Sequence, residues 1–168
     1  DIGNVYSCGA NNAFQTGLSN NELSNYELGQ TQTSDVTEFK KVDVTQEDES
    51  PVKVTQIAMG DFHTMLLTED GQVYTCGTGN DGQLGLGEMK KKVRQFTKVN
   101  LIQGMTCKKI FASNTGTIIL TSEYKMFACG SNIKGNLGLP DKKNYYNFTE
   151  VTPFDVILKS IIEPIKGN

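Results

Sequence analysis

The sequence predicts an all-β chain, a partial β-propeller of about two complete four-stranded blades with fragments of two more. Three observations predict it. A short motif recurs three times, as GNVYSCG from Gly3, GQVYTCG from Gly71 and YKMFACG from Tyr124. Each copy runs into a small polar stretch ending in a Gly-Leu step: ANNAFQTGL, TGNDGQLGL and SNIKGNLGL. The runs around these motifs are short and rich in Val, Ile, Thr, Phe and Tyr, and they are bounded by Gly, Asn, Asp and Pro. That is the chemistry of strands and turns. Tandem repetition marks a propeller or solenoid, and four short strands per unit select the propeller.

The elements follow in chain order. The first unit contributes strands at about 3–8 and 39–42 and is incomplete. The central unit reads as strands at about 54–59, 64–68, 72–77 and 95–99. Glu69-Asp70-Gly71 between two of them is a tight hairpin turn, because Asp-Gly readily takes positive φ. VTQIAMGDFHTMLLT (54–68) returns as CKKIFASNTGTIILT (107–121), and QFTKV (95–99) returns as NFTEV (147–151). The next unit therefore has strands at about 107–112, 117–121, 125–130 and 147–151. A last strand is expected at about 156–162. The surrounding TPFDVILKSIIEPI comes nearest to a helical period, but its β-branched content and two prolines favour a strand. The repeats fall at about 1–53, 54–106 and 107–168, with a loop insertion at about 19–50, all within one domain.

Composition narrows the function classes. The chain has 168 residues, 37% of them hydrophobic and 21% charged, as in a globular protein. No window approaches the roughly 18 apolar residues of a membrane span. The chain begins at Asp1 without a charged-then-apolar leader, so no signal peptide is visible and a cytoplasmic or nuclear location is expected. A formal net charge of -3 speaks against a nucleic-acid binder. Cys8, Cys76 and Cys129 hold one repeat position and read as small core residues. There is no C-x-x-C pair to go with Cys107 and His63, so neither a disulfide framework nor a metal site is expected.

Other tempting sites dissolve into the repeat. Gly77-Thr78-Gly79-Asn80-Asp81-Gly82 spells G-x-G-x-x-G, but a dinucleotide site needs a helix to begin there, and QLGLGEMKKK offers no helical face. No cofactor is expected. His63 is the sole histidine, and its equivalent is Gly116. A buried ring at His63 is expected to bond to backbone groups and lock the strand turn, and one histidine in a strand makes no catalytic constellation. Asn147-Phe148-Thr149 is a glycosylation sequon whose Phe148 falls on a core position. Two segments depart from the repeat. The insertion 19–50 holds eight acidic and two basic residues, with Glu47, Asp48 and Glu49 clustered. EMKKKVR (88–94) carries Lys90, Lys91, Lys92 and Arg94. These seven are the candidate partner-binding residues, read as acidic and basic patches that steer a protein partner.

The central unit, I-A-M-G-D-F-H-T-M-L-L-T followed by GQVYTCGTGNDGQLGLG and F-x-x-V, closely resembles the repeat of the regulator of chromosome condensation family. Met59 departs from it in a small-residue slot, and Gly79 displaces the Asn by one position. The other two copies are degraded, with Phe14 in a Gly slot and Gly116 in the His slot. The resemblance implies a ring of about seven blades. It also implies that Gly9, Gly60, His63, Gly77, Gly82, Gly85, Gly130, Gly135 and Gly138 are structural. The chain is then a segment whose remaining blades are expected from the same longer polypeptide. Functionally the resemblance implies a protein-interaction module without catalytic residues of its own. The alternatives are a guanine-nucleotide exchange factor for a Ran-like small GTPase, or the regulatory propeller of a larger kinase or ubiquitin ligase.

Overall fold

The computed structural model describes residues 3–18, 35–44, 52–88, 90–101 and 104–152, in which all regular structure is β. β1 (Val5–Gly9) pairs with β2 (Val36–Val42). β3 (Val54–Met59), β4 (His63–Thr68), β5 (Val73–Thr78) and β6 (Lys92–Lys98) form one antiparallel sheet in sequence order. β7 (Cys107–Ala112), β8 (Gly116–Thr121), β9 (Met126–Ser131) and β10 (Asn144–Glu150) form the next in the same order. These are blades of a partial β-propeller, the first represented by two strands and the second and third by four. The expected strand at 156–162 lies outside the described residues.

The hairpin between β4 and β5 turns at Glu69–Gly71, as Asp-Gly dictates. The Gly71 amide donates to the Thr68 carbonyl at 3.0 Å, with Gly71 at a φ of 79°. Tyr124 occupies the equivalent place between β8 and β9 at a φ of 63°, where few non-glycine residues sit.

Most strands match the expected ranges to within a residue, but the outer ones start earlier. β6 begins at Lys92 and β10 at Asn144 because pairing resumes beyond a register shift at the Gly of the Cys-Gly step. Gly77 pairs with Val93 and Thr78 with Lys92. Lys92 and Arg94 therefore belong to a strand rather than to a loop. By the same logic, residues 36–42 of the insertion form β2.

The core lies between blades. Met65, Leu67 and Val73 of the second blade pack with Ile110, Ile119 and Phe127 of the third. On the other face, Leu66 and Tyr74 pack with Val5, Leu18, Val36 and Val42 of the first. Alternate residues of β4 thus serve opposite junctions, which explains why His63–Thr68 is buried throughout.

Candidate interaction surface and the blade junctions

The repeated residues meet at the junctions. Thr64 Oγ1 donates to the Gln15 carbonyl of the first blade at 2.7 Å. One blade on, Thr117 Oγ1 donates to the Gln83 carbonyl at 2.8 Å. Cys76 Sγ lies 3.7 Å from that Gln15 carbonyl and Cys129 Sγ 3.7 Å from that of Gln83. Both thiols are buried, and burial pushes their pKa values far up. Cys107 is also buried, its thiol pushed up to about 11. Cys8 departs from the expected core role and is exposed, because no carbonyl of a preceding blade covers it among the described residues.

The His63 ring does not make the backbone bonds expected of it and instead reaches across the junction. Its Nε2 lies 2.9 Å from Thr117 Oγ1. The Thr117 hydroxyl proton is already committed to the Gln83 carbonyl, so Nε2–H of a neutral imidazole must be the donor. Gly60 makes room for the ring: a Cβ there would collide with His63 Cε1. Nδ1 is buried without a hydrogen-bond partner among the described residues. Burial lowers the His63 pKa to about 4, with Asp61 opposing the shift. Such a group is a neutral structural pin.

Three further junction contacts carry no signal in the motif itself. Gln56 acts as a surrogate strand, its Nε2 donating to the Ile110 carbonyl at 2.7 Å while its Oε1 accepts from the Ile110 amide at 3.0 Å. Phe96 of β6 lies against Gly17, and Phe148 of β10 against Gly85, so closely that a Cβ on either glycine would collide with the ring. The common F-x-x-V of the outer strands hinted at these phenylalanines.

The polar stretch after each Cys-Gly step is a turn, not a nucleotide cradle. Gly77 has a φ of 109°, and a Cβ there would collide with the Phe62 carbonyl. Asn11 and Asn132 hold two of these turns from within. Asn132 Nδ2 donates to the carbonyls of Leu139 and Asp141 at 2.9 and 2.8 Å, and its Oδ1 accepts from the Leu137 amide at 2.9 Å. In the central blade this position is Gly79, where a Cβ would meet Leu84. The Asn is therefore replaced there rather than shifted: Asn80 is exposed and uses its carbonyl to accept from the Tyr146 hydroxyl at 3.4 Å.

The basic candidates divide into two pairs. Lys92 Nζ and the Arg94 guanidinium each sit 4.6 Å from the centroid of the buried Phe14 ring. Phe14 stands where the central blade has Gly82, so the ring fills space that the second junction gives to the backbone of Tyr145 and Tyr146. Lys90 and Lys91 are exposed and make no ion pair with a carboxylate among the described residues. Glu47, Asp48 and Glu49 lie outside the described residues. Among the described residues, no group of three or more His, Cys, Asp or Glu is placed to hold a metal, and no helix is long and apolar enough to cross a membrane.

Comparison with known proteins agrees with this architecture. Residues 54–83 and residues 70–120 each match a model of the Regulator of chromosome condensation (RCC1) repeat. The chain is 37% identical over 102 residues to the X-linked retinitis pigmentosa GTPase regulator of Mus musculus, covering 61% of this chain and 10% of that protein. It is 36% identical over 87 residues to the secretion-regulating guanine nucleotide exchange factor of Bos taurus, covering 52% of this chain and 18% of that one. The crystal structure of Prp20p from Saccharomyces cerevisiae superposes with a TM-score of 0.73 at 21% identity, over 89% of this chain and 34% of Prp20p. The chain thus spans between a tenth and about a third of these proteins, and the likeness to Prp20p is one of fold.

Proposed function

We propose that this chain, which carries regulator of chromosome condensation repeats within residues 54–120, binds an acidic surface of a protein partner through its exposed Lys90–Lys91 rim. As a row of such repeats the chain is a protein-interaction module built of propeller blades. The observation that carries the proposal is the division of the basic run. Lys92 and Arg94 are anchored on Phe14 and hold the strand in place, whereas Lys90 and Lys91 project from its end. Cations held at the end of a rigid strand steer association and fix register more than they add affinity. His63 is spent on the junction, and no residue of this chain is assigned a catalytic role. The remaining blades come from the same longer polypeptide, which works in the cytoplasm or nucleus.

A second reading, guanine-nucleotide exchange on a Ran-like small GTPase, is favoured by the likeness to the bovine exchange factor. One experiment separates the two. The probe is a Ran-type GTPase loaded with a fluorescent GDP analogue, followed by anisotropy for binding and by intensity for release. Binding without faster release, weakened by Lys90→Glu with Lys91→Glu while Tm stays unchanged, is the expected outcome. Accelerated release at sub-stoichiometric amounts of the chain selects the exchange reading. Binding indifferent to the double charge reversal removes the basic rim from either account.

A further inference from the structure

The lysine pair that leads into β6 has a copy one blade on. Gly79 and Asn132 hold the same place in their turns, and the amide of each donates to a lysine carbonyl. Gly79 donates to Lys91 at 2.8 Å and Asn132 to Lys143 at 3.1 Å. The next residues pair alike, Lys92 with Thr78 and Asn144 with Ser131. Lys142 and Lys143 therefore stand on the third blade where Lys90 and Lys91 stand on the second. All four are exposed. Lys90 and Lys91 are exposed with the third blade already packed against the second, so a blade packed in the same way against the third leaves Lys142 and Lys143 exposed too.

The two pairs flank one seam. The Gly87 amide donates to the Tyr146 carbonyl of β10 at 3.0 Å, and the Gly87 carbonyl accepts from the Lys90 amide at 3.2 Å. A single residue thus links Lys90 to the outer strand of the third blade. Asp81 lies in the same seam, its Oδ1 accepting from Asn144 Nδ2 at 3.0 Å. Lys142, like Lys90 and Lys91, makes no ion pair with a carboxylate among the described residues. Lys143 Nζ lies 3.0 Å from Asp141 Oδ2, with both side chains well exposed. Such a pair holds its lysine only weakly.

We propose that the two pairs form one site, which binds an extended acidic segment of a protein partner laid across the seam, with one acidic cluster on each pair. This rests on the reading of the Lys90–Lys91 rim as a partner surface, and it specifies the partner's sequence. Packed sheets lie about 10 Å apart. An extended chain covers that distance in about three residues. The Asp81 carboxylate between the pairs repels acid placed over it, so the intervening residues are uncharged. Lysines on neighbouring blades therefore select the spacing of the acidic clusters as well as their sign.

Fluorescence anisotropy of two labelled peptides titrated with the full-length polypeptide tests it. One peptide is Glu-Glu-Ser-Gly-Ser-Glu-Glu, and the other has Gln-Gln in place of the second Glu-Glu. The two-cluster peptide is expected to bind at least about tenfold more tightly, because its second contact is intramolecular. Lys142→Gln with Lys143→Gln is expected to remove that advantage, while the one-cluster peptide, still served by Lys90 and Lys91, changes little. Lys142→Gln alone replaces the double variant if a thermal melt shows the latter unfolded. Equal affinity of the two peptides, or an advantage that survives the loss of Lys142 and Lys143, overturns the proposal. So does a single-stranded oligonucleotide of the same charge that binds more tightly through the same four lysines, which would make this a site for a phosphate backbone. An advantage lost with Lys90→Gln and Lys91→Gln but kept without Lys142 and Lys143 overturns the extension and leaves the rim standing. The GTPase titration reads the rim separately, so failure of either proposal is recognisable without the other.

Discussion

His63 shows how a residue can look chemical and be architectural. The Thr117 hydroxyl has one proton, which goes to the Gln83 carbonyl, so the imidazole must donate from Nε2. Protonation would add a proton at Nδ1, where no acceptor is found among the described residues. With the folded pKa lowered to about 4 from an ordinary 6.5, the unfolded chain binds the extra proton more readily. The contribution of the buried neutral ring is therefore complete above about pH 6.5 and is lost as pH falls toward 4. The loss is on the order of 3 kcal/mol at most. Melting temperatures across that window should fall for the unaltered chain and fall less for His63→Ala, whose titration is gone. Equal pH dependence in both would remove His63 from the account. The sequence pointed to a structural role for His63, because its equivalent in the next repeat is Gly116. It did not show the bond to Thr117, because that partner belongs to the next blade and lies 54 residues away.

The Cys-Gly step is the device that shapes each blade at the level of its strands. Gly77 and Gly130 have φ values of 109° and 110° and interrupt the register between the third and fourth strands. A Cβ at either would collide with a backbone carbonyl, of Phe62 or Thr115. Gly77→Val and Gly130→Val should each cost at least about 1–3 kcal/mol from backbone strain alone. A denaturant midpoint unchanged in either variant would contradict the turn geometry. This device was legible because the glycine recurs with its strand. The early starts of β6 and β10 were not, since pairing beyond the irregularity leaves no hydrophobic pattern in KKKVR or KNYYN. Lys92 and Arg94 therefore read as loop residues until the strand and the Phe14 ring placed them. Phe14 itself stood out as a bulky residue in a glycine slot, but the sequence alone could not pair it with two cations from the next blade.

The molecule as a whole is a row in which each blade closes the next. The contacts that cross the junction of the second and third blades include His63 with Thr117, Gln56 with Ile110, Thr117 with Gln83, and Phe148 with Gly85. The shared apolar core of Met65, Leu67 and Val73 with Ile110, Ile119 and Phe127 joins them. Repeat proteins divide their stability between intrinsic unit terms and interfaces with neighbours. The repeat here is written mostly at interface positions, so the interface term should dominate. That is also why the propeller was readable from one sequence while the partner surface was not. Architecture recurs and can be checked against its own copies, whereas the lysine pair of the second and third blades is missing from the first. Native-state amide hydrogen exchange tests the interlocking most directly. The account predicts that the slowest amides of β4, β5, β8 and β9 open together, with one free energy equal to that of global unfolding. Separate opening free energies for the second and third blades would contradict it.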